Sequence, residues 1–206
     1  MRLADARKDP YRRLAQDQGY RSRSAYKLIQ LNRSYNILKK GLSVLDLGCA
    51  PGGWVQVAKD VVGSAGKVVG IDIKHVDPIG DAILLHGSIE DQVTIEKAIQ
   101  SLQGKADVLL SDLSPNVSGV WDVDHARQIS LTIMALSIAK HVLKSGGDAV
   151  FKIFEGSMLE ELKQELRKSF ERVALSKPNA SRKESSELYV VCFNFRPPFQ
   201  DLYLKP

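Results

Sequence analysis

From residue 43 onward, short apolar runs alternate with stretches of helical period. The runs are SVLDLG (43–48), KVVGID (67–72), AILLHG (82–87), DVLLSD (107–112) and AVFKIF (149–154). Each has the roughly four to eight residues of a buried strand. Helical stretches at Trp54–Val62, Gln92–Leu102 and about His125–Leu143 separate them, the last closed by Gly146-Gly147. A further helix, opening on the capping box of Ser157 and Glu160, is predicted to run to about Phe170. Strands joined through helices make right-handed crossovers, and so a mostly parallel sheet covered on both faces. Two final runs, RVALS (172–176) and ELYVVCFNF (187–195), have only the loop 177–186 between them. That spacing predicts a hairpin, hence one antiparallel strand. The expected fold is α/β and Rossmann-like, with seven strands, the last antiparallel.

Before residue 43 the pattern is different. Ser22 or Ser24 can cap a helix whose Ala25, Leu28, Ile29 and Leu31 form an apolar stripe ending near Asn32. Charge sets this segment apart. The whole chain of 206 residues has a formal net charge of +5, but residues 1–40 hold eleven Lys/Arg against three Asp, a balance of +8. The remainder is −3. Four tyrosines (Tyr11, Tyr20, Tyr26 and Tyr35) lie among those cations. Basic groups can hold a phosphate backbone and aromatic rings can stack on bases, so the segment reads as a nucleic-acid-binding arm. The expected organisation is an arm over 1–40, an α/β domain over 41–196 and a short tail over 197–206.

Other features narrow the class. Cys49 and Cys192 form no C-x-x-C pair, which excludes a disulfide scaffold or zinc ribbon and suits a reducing cytoplasm. The stretch Ile129–Ala139 is too short to span a bilayer, and MRLADARKDP lacks the apolar core of a signal peptide. His75, His86, His125 and His141 show no metal-ligand spacing and are expected at the surface or in loops. No metal site is expected, and a monomer is the simpler expectation.

The chemistry-bearing turn is Asp46-Leu47-Gly48-Cys49-Ala50-Pro51-Gly52-Gly53-Trp54, between the first strand and its helix. Glycines here let backbone approach a ligand at the carboxyl edge of the sheet. A dinucleotide loop would need glycine at Ala50, and a phosphate loop would need Lys-Ser/Thr after Gly53, so neither pyrophosphate pattern is met. One β-α-β unit onward, Asp72 is placed to accept hydrogen bonds from a ribose. Together they suit an adenosine-containing cofactor.

Six ordered segments then carry a specific resemblance: RSRSAYKL (21–28), DLGCAPGGW (46–54), DIK (72–74), SDLSPNVSG (111–119), FKIF (151–154) and SSELY (185–189). The chain resembles the FtsJ/RrmJ family of S-adenosylmethionine-dependent RNA ribose 2′-O-methyltransferases, and seven strands with the last antiparallel is the layout of class I methyltransferases. The resemblance implies S-adenosylmethionine as cofactor, with contacts at Gly52, Trp54, Asp72 and Asp112 within a site that also takes in Gly48, Pro51, Gly53 and Ser88. Ser88 departs from the family, which often has an acid there beside the adenine. The implied catalytic set is Lys27, Asp112, Lys152 and Glu187. Lys152 stands out physically as well, since a charge within AVFKIF is costly unless it has a partner or a purpose.

The implied reaction is in-line attack of a ribose 2′-oxygen on the donated methyl group, with Lys152 as general base or as an electrostatic orienter. Arg21, Arg23 and Lys27 in the arm, with Arg182 and Lys183 in the loop 177–183, are expected to contact RNA. The implied partner is a uridine in large-subunit ribosomal RNA, within a large ribosomal subunit or its precursor. A tRNA or cap ribose stays open, as does a non-catalytic RNA-binding scaffold. Trp121, after a glycine-containing loop near the site, is read as either a substrate-facing aromatic or a hydrophobic lid.

Overall fold

A computed structural model describes residues 9–182 and 184–197. Two helices come first, α1 (Pro10–Asp17) and α2 (Ala25–Tyr35). The α/β body follows as β1 (Ser43–Leu47), α3 (Gly53–Val62), β2 (Lys67–Asp72), β3 (Ile83–His86), α4 (Gln92–Leu102) and β4 (Ala106–Ser111). It continues with α5 (Trp121–Val142), β5 (Leu143–Phe154), α6 (Leu159–Ser169), β6 (Phe170–Ser176) and β7 (Glu187–Phe195). The seven strands form one sheet in the order β3-β2-β1-β4-β5-β7-β6. Strands β1 to β5 are parallel, and β7 lies antiparallel between β5 and β6. The expected fold is present.

Alternate residues of each central strand feed two apolar layers. Leu45, Leu109, Phe151 and Val190 pack under α4, α5 and α6. Val44, Val108, Val150 and Tyr189 pack under α2 and α3. Among the described residues of the basic segment, α2 is therefore no free arm. Its Ala25, Leu28 and Leu31 are buried in the same layer as Trp54 and Val55 of α3. Helix α1 docks more lightly, through Ala15 against Tyr26 and Ala180.

The structure differs from the sequence expectations at several helix ends. Helix α1 was not expected, although Asp9 caps it with its carboxylate on the Tyr11 and Arg12 amides and Pro10 occupies its first turn. Ser24 precedes α2 without a side-chain cap, and that helix runs on to Tyr35. Helix α5 begins at Trp121, with Asp122 and Asp124 in its first turn, where carboxylates suit the helix dipole. The Ser157–Glu160 capping box does not form. Met158 holds the cap position of α6, and its amide donates instead to the imidazole of His125. That contact also corrects the expectation for His125, which is buried. No described helix is long and apolar enough to cross a membrane.

Candidate active site

The carboxyl edge of the parallel strands collects the site. Phe154, Lys152 and Val150 share one face of β5 because side chains alternate along a strand. Antiparallel pairing puts Glu187 opposite Phe154 and Tyr189 opposite Lys152. Asp112 directly follows β4, the parallel neighbour of β5. Lys27 comes from α2, which covers that same face. Reversing β7 is what brings Glu187 to this edge.

Two ion pairs result. The Lys27 ammonium donates to Glu187 Oε2 at 2.7 Å, and Lys152 lies 3.4 Å from Asp112 Oδ1. Lys152 also donates to the Asp112 carbonyl at 2.7 Å. The lysines are only 8% and 5% exposed, so each needs the partner it has. All four residues of the implied catalytic set are thus brought together.

Tyr189 is the member that the sequence reasoning quoted but did not use. Its hydroxyl donates to Asp112 Oδ1 at 2.9 Å, its ring lies 5.6 Å from the Lys27 ammonium, and its other neighbour is Trp54. Burial foremost, then the carboxylates of Asp112 and Glu187, hold its phenol well above the ordinary range, so it stays a donor. The available signal was its spacing, two residues beyond Glu187 on a strand and hence on the same face. Gln128 was missed as well. From α5 its amide donates to the carbonyls of Leu113 and Lys152, tying the strand to the loop after β4.

Burial alone would raise the Glu187 carboxyl, but the charge and hydrogen bond of Lys27, with Lys152 and Ser185, hold it below the ordinary glutamate value. A depressed folded-state value means that Glu187 contributes stability above the unfolded-state pKa, and that this is lost as pH falls through the folded value. The stability gap between wild type and Glu187→Gln is therefore expected to be widest at neutral pH and to close below about pH 4. Urea melts across that range measure it, and a pH-independent gap would contradict the assignment.

Beside the ion pairs lies a cavity of about 1080 Å³, lined by Gly48, Ala50, Asp72, Ser88, Asp112 and Asn116 among others. Its apolar wall includes Ile71, Ile73, Ile89, Leu113 and Met134. Gly48, at φ +78°, is required here: a Cβ on it would lie 3.0 Å from Leu113 across the cavity's rim. Asp72 accepts the Ala50 amide on one oxygen and the Lys74 amide on the other, each at 2.8 Å, which fixes the carboxylate in the cavity wall. Ser88 lines the cavity while its hydroxyl accepts the Glu90 amide. Asp46, directly below the loop, is fully buried and neither carboxyl oxygen has a partner among the described residues. Burial first, then the neighbouring carboxylates of Asp112 and Asp72, push its pKa well up.

A family model described as FtsJ-like methyltransferase matches residues 20–195. The chain belongs to the FtsJ-like methyltransferase family. A protein of Nitrosopumilus maritimus named ribosomal RNA large subunit methyltransferase E is 51% identical over 95% of this chain and 99% of its own length. The Methanocaldococcus jannaschii protein of the same name is 46% identical over 90% of this chain and 78% of its own. A crystal structure of a Plasmodium falciparum protein assigned as a ribosomal RNA methyltransferase superposes with a TM-score of 0.80 at 34% identity, covering 87% of this chain and all of that one.

S-adenosylmethionine is the cofactor of the family, and the cavity fits it. Gly48, where a Cβ would crowd Leu113, lets the turn close on the cavity, and the Asp72 and Asp112 carboxylates stand in a wall that pairs apolar side chains such as Ile71, Leu113 and Met134 with polar ones such as Ser88 and Asn116. The remaining residues of the predicted cofactor set are placed differently. Pro51, Gly52, Gly53 and Trp54 do not line the cavity. A Cβ on Gly52 would strike Ile79 and one on Gly53 the Ser22 hydroxyl, so Gly52 lets the loop after β2 approach the turn and Gly53 lets the N-terminal segment pack on α3. The Trp54 indole lies in the core, 2% exposed, and donates to the Ser24 carbonyl.

The two arginines of the N-terminal segment that are expected on RNA have protein partners. Arg21 donates to the carbonyls of Pro51, Asp77 and Pro78, bracing the glycine loop against the loop after β2. Arg23 bonds the Asp9 carboxylate and the Ala180 carbonyl. A phosphate would have to compete with these bonds. Arg182 is about half exposed, 3.7 Å from Asp9, and Lys183 lies outside the described residues. Arg21→Met is expected to weaken S-adenosylmethionine binding by roughly tenfold, the scale of one charge-assisted hydrogen bond. Calorimetric titration reads it, and unchanged cofactor affinity would show that the brace is dispensable.

Proposed function

We propose that the chain methylates the 2′-oxygen of a ribose in large-subunit ribosomal RNA, at a uridine, with Lys152 as general base. The observation that carries this is the convergence of the Lys152–Asp112 and Lys27–Glu187 pairs at the mouth of the cofactor cavity. Asp112 belongs to the Lys152 pair and to the cavity lining, so the acceptor oxygen is held beside the donor. When bound, S-adenosylmethionine supplies a methyl group on a sulfonium, an activated leaving group. What remains for the protein is to position a hydroxyl and remove one proton.

The residues divide that task. Asp112, through its carbonyl and carboxylate, fixes the Lys152 amine at the strand end, and Tyr189 fixes Asp112 in turn. Lys152, as the neutral amine, takes the 2′-hydroxyl proton. Lys27, held by Glu187, stands beside it with a positive charge for the alkoxide character that develops on the attacking oxygen. Cofactor recognition falls to Gly48, Asp72, Ser88 and Asp112, with Pro51, Gly52, Gly53 and Trp54 shaping the turn that carries Gly48 and Ala50 into the cavity wall.

RNA affinity is assigned to the basic segment over 1–40 and to Arg182 and Lys183, working with the body over 41–196. Phosphate contacts of this kind position the strand without reading its sequence. The names of the relatives support large-subunit ribosomal RNA as the substrate, presented in a ribosomal particle or its precursor in the cytoplasm. A monomer suffices, because one chain supplies all four charged residues. The test is incubation with labelled S-adenosylmethionine and RNA from cells lacking the methylation, followed by mapping of 2′-O-methyl sites. Label at a large-subunit uridine is expected. Label confined to tRNA or to a base, or none in any RNA, would overturn the proposal.

A further inference from the structure

One aromatic side chain at the catalytic edge takes no part in the chemistry above. Between residues 117 and 123, Val117, Val120, Trp121 and Val123 are all exposed, and Trp121 leaves 47% of its surface open. Clustered exposure of large apolar groups marks an interaction site more often than chance. The indole is also held in a fixed plane. It stacks on His125 with the rings 18° apart and on Phe154 with the rings 26° apart, at centroid distances of 6.2 and 6.1 Å. Both supporting rings are buried. The loop before it is fixed as well, since the Asp124 carboxylate accepts the Ser118 amide, the Ser118 hydroxyl and the Gly119 amide.

The location gives this surface its occupant. Phe154 ends β5, opposite Glu187 and two residues beyond Lys152, so Trp121 is one ring away from the ion pairs. A ribose delivered to Lys152 brings its own base, or a neighbouring one, within reach of that ring. The cofactor is the wrong occupant, because Asp122 and Val123 line the cavity whereas Trp121 does not. We propose that Trp121 is a stacking platform for a nucleobase of the RNA, adjoining the ribose that Lys152 engages. This rests on the RNA methyltransferase reading and adds a substrate subsite to it. Every base has a π-face, so the platform contributes affinity and orientation without sequence preference. An indole supported on buried rings loses little freedom on binding, which favours this use over a flexible aliphatic side chain.

The chain has two tryptophans, and Trp54 is buried, so fluorescence change on adding a short oligouridylate reports chiefly on Trp121. Quenching is expected in wild type and is expected to vanish in Trp121→Leu. With an unmethylated large-subunit RNA transcript as substrate, Trp121→Leu should raise KM for RNA by roughly tenfold. Its cofactor Kd and kcat should hold, and Trp121→Phe should recover most of the loss by restoring a stacked ring. An unchanged KM for RNA in an active Trp121→Leu enzyme would overturn the platform alone. A weakened cofactor Kd would overturn it in favour of a lid. A wild-type protein that methylates no RNA would overturn the underlying reading first.

Discussion

Lys152→Ala is expected to lose methyl transfer by roughly 10²–10⁴-fold while retaining S-adenosylmethionine binding. The cofactor cavity is built from Gly48, Asp72, Ser88 and the loop after β4, and Lys152 is not among its lining residues. Removing the amine leaves the Asp112 carboxylate with Tyr189 as its donor, so the wall of the cavity keeps its shape. Calorimetry with the cofactor then reports on folding and binding together, and a methyl-transfer assay reports on the base. Lys152→Arg separates the two roles open to this residue. A guanidinium keeps the positive charge beside Asp112 but does not give up its proton in proteins. If Lys152 acts as a base, Arg should restore little. Substantial rescue by Arg, or near-normal turnover in Lys152→Ala, would assign the proton to another acceptor.

The fold was largely legible because its strands are buried on both faces and so read as continuous apolar runs, such as DVLLS and AVFKIF. The hairpin was legible from what was missing between β6 and β7, and that one inference placed Glu187 at the right edge. Short or polar helices were harder. Helix α1, PYRRLAQD, buries only Ala15, so it offers almost no apolar period, and its sole local sign was Asp9-Pro10 at the start. The first turn of α5 was missed for a related reason, since Asp122 and Asp124 look like loop residues until their place at a helix N-terminus is known.

The site shows the same division. Lys152 was conspicuous as a charge inside a strand, and Asp112 as the polar end of one. Arg21 and Arg23 read simply as free cations, whereas each also bonds main-chain carbonyls, at Pro51, Asp77, Pro78 and Ala180. A carbonyl leaves no signature in a sequence. Net charge in a segment therefore counts cations without saying which are already engaged. In this chain the +8 of residues 1–40 combines structural ties, one catalytic candidate and the groups left for RNA.

Trp54→Ala is expected to be the most damaging substitution to stability, costing about 3–5 kcal/mol. The indole is 2% exposed, packs on Tyr189 at 5.6 Å between ring centroids, and donates to the Ser24 carbonyl at 2.8 Å. For a chain of this size such a loss lowers the melting temperature by about 10 °C or more. The consequence extends to the chemistry, because Ser24 is the residue before α2 and Lys27 lies in the first turn of that helix. Trp54→Phe distinguishes packing from positioning. Phenylalanine keeps a ring against Tyr189 but removes the tie from α3 to the Ser24 carbonyl, which the Lys27 and Leu28 amides still satisfy, at a cost of about 1 kcal/mol. Helix α2 would then be free to shift, and the Lys27–Glu187 pair with it, so kcat should fall more than KM for the cofactor. A Trp54→Ala protein melting within about 2 °C of wild type would refute the packing argument. A Trp54→Phe protein with full kcat would show that Lys27 is positioned by the apolar face of α2 alone.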